Sequence, residues 1–106
     1  MATSTQNPLP KRLKEARVRA GLSQKQLGIK AGIDEFSASP RMNQYEKGTH
    51  TPDFRTLDNI ASVLELPTAY FYAGEENLAK LIFLYSNLEN KKKKKLLDEL
   101  AGAHKP

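Results

Sequence analysis

The stretch Leu13-Lys-Glu-Ala-Arg-Val-Arg-Ala-Gly-Leu-Ser-Gln-Lys-Gln-Leu-Gly28 contains two helical patterns that meet at a short turn with a glycine. After a loop comes a second stretch, Pro40-Arg-Met-Asn-Gln-Tyr-Glu-Lys-Gly48, which places several polar side chains on a helical pattern. Two helices in this order, the second with exposed polar side chains, predict a helix-turn-helix over residues 13–48.

The first helix is predicted to start near Pro8 or Pro10, because proline suits the first helical turn. Gly21 is predicted to end this helix as a left-handed cap. The buried stripe has members three to four residues apart: Leu9, Leu13 and Ala16.

The second helix is predicted to open at Ser23, where Ser23 and Gln26 form a capping box. Leu27 and Ala31 carry its core face. Gly28 costs about 1 kcal/mol relative to alanine inside a helix, so we expect another helix to approach closely at this position.

The turn Gly32-Ile33 follows, with Ile33 as its apolar plug. Residues 34–39 are predicted to form a loop. The recognition helix is predicted to start at Ser39 and Pro40, which make a good N-cap and first-turn pair. Met42 and Tyr45 are predicted to form its inward face, and Gly48 is predicted to end it.

A fourth helix is predicted after the loop at residues 50–53, and Pro67 breaks it. Its apolar side consists of five residues at helical spacing: Phe54, Leu57, Ile60, Ala61 and Leu64. Residues 68–72 predict a short fifth helix that caps the core with aromatic rings.

Residues 75–101 carry two apolar stripes, the first with Leu78, Leu81, Ile82, Tyr85 and Leu88, and the second with Leu96, Leu97 and Leu100. The stripes predict one long helix or a helical hairpin. They either pack back on the core or form a two-fold dimer contact, and we favour the dimer contact.

Five lysines in the first turn of a new helix would oppose its dipole, which favours a continuous helix or an earlier cap at Asn87. The lysine run, residues 91–95, is predicted as a solvated face, with a supplementary phosphate contact as the alternative.

The 106 residues are enough for one domain with a modest core, and the net charge of +5 suits a domain that binds a polyanion. The absence of cysteine excludes disulfides and thiol chemistry. The sequence has neither an apolar run of membrane-spanning length nor an apolar N-terminal signal core, so we expect a cytoplasmic, nucleoid-associated protein. Between residues 11 and 30, one acid, Glu15, stands against seven basic residues: Lys11, Arg12, Lys14, Arg17, Arg19, Lys25 and Lys30.

Three short motifs in a fixed order, Gly21-Leu-Ser-Gln24, Tyr45-Glu-Lys-Gly48 and Pro52-Asp-Phe54, closely resemble the XRE family of phage-repressor-like (Cro/cI-type) transcriptional regulators. The resemblance covers residues 9–74. It implies an all-α fold with a five-helix DNA-binding domain, to which this chain adds a C-terminal helical extension over residues 75–102. Residues 1–8 are expected to be a disordered N-terminal tail, and residues 103–106 a second tail.

The resemblance implies a bacterial or phage transcriptional regulator that binds a short palindromic operator in double-stranded DNA as a homodimer, mainly as a repressor. The chain departs from the family pattern in two ways. The spacing from Ile33 to Tyr45 is twelve residues, where about eight is usual, and Pro40 stands where relatives often carry a polar side chain. We place the extra residues in the loop at 34–39.

Base reading requires side chains that match the edges of base pairs: arginine bonds guanine, and asparagine or glutamine bonds adenine. The candidates on the recognition helix are Ser39, Arg41, Asn43 and Gln44, with Ser39 and Gln44 favoured by their position in the family motif. The phosphate-contact candidates are Ser23, Gln24, Lys25 and Lys47, with Gln24 carried over from the family. The resemblance also implies a structural salt bridge between Arg17 and Glu46.

Two alternatives remain open. The same domain occurs in antitoxins and in restriction–modification controllers, for which a toxin or other protein partner would dock on residues 75–106. A protein-interaction module that has lost DNA binding is the other alternative, which Pro40 and the longer 34–39 segment keep open.

Catalysis finds no support in the sequence. His50 and His104 stand apart from the Asp, Glu or Cys partners of a metal site. The sequence contains neither a Gly-Lys-Ser/Thr phosphate loop nor a nucleophile elbow. We therefore expect no enzyme activity, no cofactor and no metal.

Overall fold

The computed structural model describes residues 6–104, and in this part of the chain every regular element is helical. The elements in chain order are α1 (Leu9–Arg19), α2 (Gln24–Lys30), α3 (Glu35–Lys47), α4 (Phe54–Leu64), a 3₁₀ helix (Thr68–Tyr72), α5 (Glu76–Ser86) and α6 (Asn90–Ala103). The predicted all-α fold with a helix-turn-helix is confirmed. Most of the predicted N-terminal tail and the last two residues of the C-terminal tail lie outside the described residues.

The predicted end of the first helix and the predicted start of the second helix are confirmed. Gly21 follows α1 with φ +75°, a backbone conformation that favours glycine. The capping box at α2 is complete, since Gln26 N donates to Ser23 Oγ at 3.0 Å and Ser23 N donates to Gln26 Oε1 at 2.8 Å. The sequence between residues 19 and 26 therefore fixes both the end of one helix and the start of the next.

The predicted close approach at Gly28 is also confirmed, and the approaching helix is α3. A Cβ atom on Gly28 would lie 2.8 Å from the Cβ of Ala38, which is shorter than real side chains allow. The absence of a side chain at Gly28 is therefore what lets α3 cross α2 this closely.

The core lies between α1, α2, α3, α4 and the 3₁₀ helix. Its largest fully buried side chains are Leu9, Leu13, Leu27, Met42, Leu57, Ile60 and Phe71. The prediction that Phe54 belongs to the core side of α4 is wrong, because this side chain is 69% exposed. Phe54 is the first residue of α4, directly after the N-cap Asp53, and the buried part of the helix begins only at Leu57.

The predicted start of the recognition helix at Ser39 and Pro40 is wrong. Helix α3 begins at Glu35, and Asp34 is its N-cap, with the Asp34 carboxylate accepting a hydrogen bond from Phe36 N at 3.0 Å. Residues 35–39 are therefore helical, and the extra residues lengthen α3 by about one turn instead of forming a loop. Burial of Ala38 against α2 stabilises this turn.

Pro40 lies inside α3 without ending it. A proline removes the backbone hydrogen bond to the carbonyl four residues earlier, which here belongs to Phe36. The hydrogen-bond ladder of α3 therefore lacks this one bond, and the helix still continues to Lys47.

Residues 75–101 form two helices, so of the two predicted alternatives the continuous helix is wrong and the pair of helices is present. The predicted earlier cap at Asn87 is also wrong. Asn87 ends α5, where its Nδ2 donates to the carbonyl of Phe83 at 2.8 Å. Helix α6 begins at Asn90 without a side-chain cap, and the lysine run fills its first turns. Ala79 of α5 is buried against the core, whereas none of the described residues of α6 is buried. No helix among the described residues has the length and apolar character needed to cross a membrane.

Candidate nucleic-acid interface

Helix α3 has a buried side and an exposed side. Ala38, Met42 and Tyr45 recur at the spacing of one helix face and are buried, which confirms the predicted inward positions of Met42 and Tyr45. The predicted base-reading residues lie off this face: Asn43 is partly buried, and Ser39, Arg41 and Gln44 are exposed. The structure therefore leaves the polar candidates outside the buried face of α3, with Ser39 and Asn43 on one flank and Arg41 and Gln44 on the other.

A largely buried ion pair holds α3 against α1. Arg17 Nε lies 2.6 Å from Glu46 Oε2, and Arg17 Nη2 donates to Glu46 Oε1 at 3.1 Å, which makes the contact bidentate. Arg17 Nη1 also donates to the carbonyl of Leu22 at 2.9 Å. The salt bridge implied by the resemblance is present, and it fixes the orientation of α3 relative to α1 and to the turn before α2.

Gln24 extends this network to the exposed side of α3. Its Nε2 donates to Glu46 Oε1 at 3.1 Å and to Asn43 Oδ1 at 3.4 Å. Both amide protons of Gln24 thus have acceptors within the protein, although the resemblance implied a phosphate contact. In this arrangement Gln24 positions Asn43, whose Nδ2 stays available as a donor.

Arg41 lies along α3 towards Tyr45. Its Nη2 donates to Tyr45 Oη at 2.9 Å, and its guanidinium carbon lies 6.0 Å from the centre of the Tyr45 ring. Lys47 is exposed in the last turn of the helix. Lys25, another phosphate-contact candidate, is exposed near the start of α2.

Several of the basic residues between positions 11 and 30 contact other parts of the protein and are therefore engaged in the fold. Lys11 Nζ lies 2.6 Å from Glu76 Oε2, and buried Arg12 also pairs with Glu76. Arg19 lies 4.5 Å from the centre of the Phe83 ring. With Arg17 bound to Glu46, four of the seven basic residues have partners inside the protein.

The contacts of Glu76 also shift the pKa values of the groups that form them. The hydrogen bond from Lys11, followed by that from Arg12, lowers the pKa of Glu76 below its ordinary value of 4.5. The same hydrogen bond raises the pKa of Lys11. The cluster therefore stays charged at neutral pH, and it joins α1 to the start of α5.

Sequence reasoning missed Phe36, the second residue of α3, whose side chain is 87% exposed. The Ser39-Pro40 pair is a strong local signal for a helix start, and it places Phe36 in the predicted loop at 34–39. The signal that could have found it is the spacing of Ala38, Met42 and Tyr45, which continues the helical face one turn before Met42, to a residue that precedes Pro40.

An apolar groove lies between α5 and α6, with a cavity volume of 470 Å³. Its walls include residues of both predicted stripes and two from the 3₁₀ helix region: Pro67, Ala69, Leu81, Ile82, Tyr85, Leu96, Leu97 and Leu100. Several leucines on these two helices are about half exposed. The structure thus leaves a continuous apolar surface on the side of the molecule formed by α5 and α6.

Comparison with known proteins supports this description. Residues 9–70 match a family described as a helix-turn-helix domain. A crystal structure described as transcriptional regulator BswR is similar over 89% of this chain and 93% of its own, with 52% sequence identity and a TM-score of 0.84.

Curated proteins of similar sequence are also described as HTH-type transcriptional regulators. The uncharacterized HTH-type transcriptional regulator YqaE of Bacillus subtilis (strain 168) is 35% identical over 65 residues, which are 61% of this chain and 53% of that protein. An uncharacterized HTH-type transcriptional regulator of Sinorhizobium medicae (strain WSM419) is 33% identical over 61 residues, which are 58% of this chain and 41% of that protein. The chain therefore spans about half the length, or less, of the curated relatives it matches.

Proposed function

The chain belongs to the helix-turn-helix domain family, and we propose on that basis that it is a sequence-specific DNA-binding transcriptional regulator. One observation carries the proposal. The inner side of α3 is fixed by a largely buried ion pair and by Gln24, while its outer side presents amide, guanidinium and ammonium groups. A helix held rigidly behind polar side chains of this kind is suited to the major groove.

Within this proposal, the polar residues of α3 outside its buried face divide by the base that each can bond. Asn43 and Gln44 match the paired donor and acceptor of adenine, and Arg41 matches guanine. Ser39 is a further candidate for a base edge. Phosphate contacts fall to Lys25 and Lys47, supported by the hydroxyl of Ser23 before α2, whereas the side-chain amide of Gln24 is engaged with Glu46 and Asn43.

We also assign a homodimer that binds a short palindromic operator and represses by occupancy. A two-fold dimer presents two copies of α3 to half-sites one helical turn apart. The exposed leucines of α5 and α6 and the groove between these helices support a self-association surface. A bound dimer would exclude polymerase from the DNA it covers.

The test of DNA binding is selection from a random duplex library, followed by a salt titration on the enriched site. We expect an inverted repeat, an affinity that falls steeply with salt, and a Gln44→Ala variant that loses about 1–3 kcal/mol of discrimination at one base pair. Asn59→Ala removes an exposed amide from α4 and is the matched control. If no sequence is enriched above the starting library, the proposed function is wrong.

The test of the dimer is sedimentation of the wild type and of Leu97→Gln/Leu100→Gln. Both leucines are about half exposed on α6, so the substitutions leave the core intact. We expect a dimeric wild type and a monomeric variant. Val18→Gln changes an exposed apolar residue on α1 and should remain dimeric. A monomeric wild type, or a dimeric double variant, would contradict this assignment.

A further inference from the structure

Phe36 is the most exposed large hydrophobic side chain in the part of the chain that the structure describes. A single exposed apolar residue is common on protein surfaces and carries no meaning alone. The position of Phe36 is what distinguishes it, because it is the second residue of the recognition helix α3. The first turn of such a helix is the part that meets base edges.

Phe36 belongs to the outward row of α3. Residues three or four apart lie on the same side of a helix, so Phe36, Pro40 and Gln44 follow one another along the exposed side. This row is separate from the buried face that contains Ala38 and Met42. This row of α3 is therefore apolar at Phe36 and Pro40, in the first turns, and polar at Gln44, in a later turn.

The charges around Phe36 argue against a phosphate at this end of the helix. Asp34 is the N-cap and Glu35 is the first residue, so two carboxylates occupy the positive end of the helix dipole. A phosphate placed there would be repelled. The groups in a major groove that suit an apolar side chain are the 5-methyl groups of thymines.

We propose that Phe36, with Pro40 beside it, contacts the 5-methyl group of a thymine and so sets a preference for thymine at one position of each half-site. The inference rests on the proposed function, because it needs α3 in the major groove. It also explains how a helix with proline in place of a polar reader can still select a base. Gln44, further along the same row, then reads a base pair displaced along the groove.

The experiment uses the full chain and the site enriched by selection. Each thymine is replaced in turn by deoxyuridine, which lacks only the 5-methyl group, and affinity is measured by fluorescence anisotropy. We expect the wild type to lose about fourfold in affinity at one thymine of a half-site, the effect of burying about one methyl group. Phe36→Ala should bind the two versions of that site equally.

Folding and background effects are controlled by two further measurements. Phe36 is exposed, so Phe36→Ala should keep the helical circular dichroism and unfolding temperature of the wild type. Phe54→Ala removes another exposed phenylalanine, from α4, and should still distinguish thymine from deoxyuridine. If the wild type tolerates deoxyuridine everywhere, or if Phe36→Ala keeps the same discrimination, the assignment to Phe36 is overturned while DNA binding stands.

Two other outcomes would also overturn the assignment. Failure of the wild type to enrich any sequence would remove the proposed function and this inference with it. If Phe36→Ala instead dissociates the dimer while base discrimination is unchanged, Phe36 is a contact between protein copies and not a contact to DNA.

Discussion

Arg12 of α1 forms an ion pair with Glu76 of α5, Nη1 to Oε1 at 3.0 Å, with the arginine side chain 3% exposed and the glutamate 63% exposed. Two turns further along each helix, Arg19 lies over the ring of Phe83. The two contacts keep the same offset along the chain, so α1 and α5 run side by side in the same direction. Two arginines of α1 therefore hold the start and the later turns of α5.

The two basic residues that contact Glu76 should differ sharply in their effect on stability. Arg12 is buried, and its Nε donates to the carbonyl of buried Ala73 at 2.8 Å, so Arg12→Ala leaves that carbonyl without its donor. We expect a loss of about 2–3 kcal/mol in the free energy of unfolding, measured with urea. Lys11→Ala breaks an exposed pair and should change stability within experimental error. Equal losses in the two variants would contradict this interpretation.

The Glu76 cluster predicts a dependence of stability on pH. The pKa of Glu76 is lower in the folded protein than its ordinary value of 4.5, so its ionised form stabilises the fold above that value. The stabilisation is lost as the pH falls through the lowered pKa. Thermal unfolding should therefore show a higher unfolding temperature for wild type than for Glu76→Gln at pH 7, and a difference that shrinks in acid.

The matched control for this series is Glu99→Gln, which removes an exposed carboxylate from α6. Asp53, whose pKa is lowered by the hydrogen bond from the Thr56 backbone, titrates in wild type and variant alike and does not affect the difference between them. A difference between wild type and Glu76→Gln that stays constant down to pH 3 would show that the ion pairs of Glu76 do not contribute to stability.

The close approach of α2 and α3 predicts that Gly28→Ala destabilises the protein, although alanine is the better helix former. Alanine gains about 1 kcal/mol in helix propensity, but its Cβ would lie 2.8 Å from that of Ala38, and overpacking costs about 1–3 kcal/mol. Ala38→Gly in the same chain should recover part of the loss. A double-mutant cycle measures this coupling, and a Gly28→Ala variant more stable than the wild type would contradict it.

The ion pair between Arg17 and Glu46 predicts that a double variant can recover stability without recovering base discrimination. Glu46→Leu alone leaves a largely buried guanidinium without its partner and should cost about 3 kcal/mol. Arg17→Met with Glu46→Leu should recover most of that stability, since both charges are gone. The double variant also lacks the carboxylate that holds Gln24, so we expect discrimination at the Asn43 base pair to remain weak. Full recovery of discrimination would mean that the pair acts only through stability.

The helices that carry strong local signals were predictable. A left-handed glycine and a capping box act within a few residues, so the end of α1 and the start of α2 follow from the sequence. The start of α3 did not, because the Ser39-Pro40 signal competed with Asp34 as a cap. Packing of Ala38 on Gly28, a contact between helices, decided between the two.

The site was predictable only in outline. The position and polar character of the recognition helix follow from the motif, as does the pairing of Arg17 with Glu46. The burial of Arg12 does not, since its ion-pair partner Glu76 is distant in sequence and a basic residue in a basic segment reads as solvent-exposed. Phe36 was missed for a related reason, because an error of one helical turn at the start of α3 moved it off the recognition helix.

The three arginines of α1 each bind a different part of the structure. Arg12 contacts the start of α5, Arg17 contacts α3, and Arg19 contacts the ring of Phe83. Helix α1 is thus the rigid connection between the recognition helix and the side of the molecule formed by α5 and α6. In a dimer joined through that side, the distance between the two recognition helices is set by α1. The spacing of DNA half-sites that such a dimer accepts would then change with substitutions in a helix that has no need to touch a base.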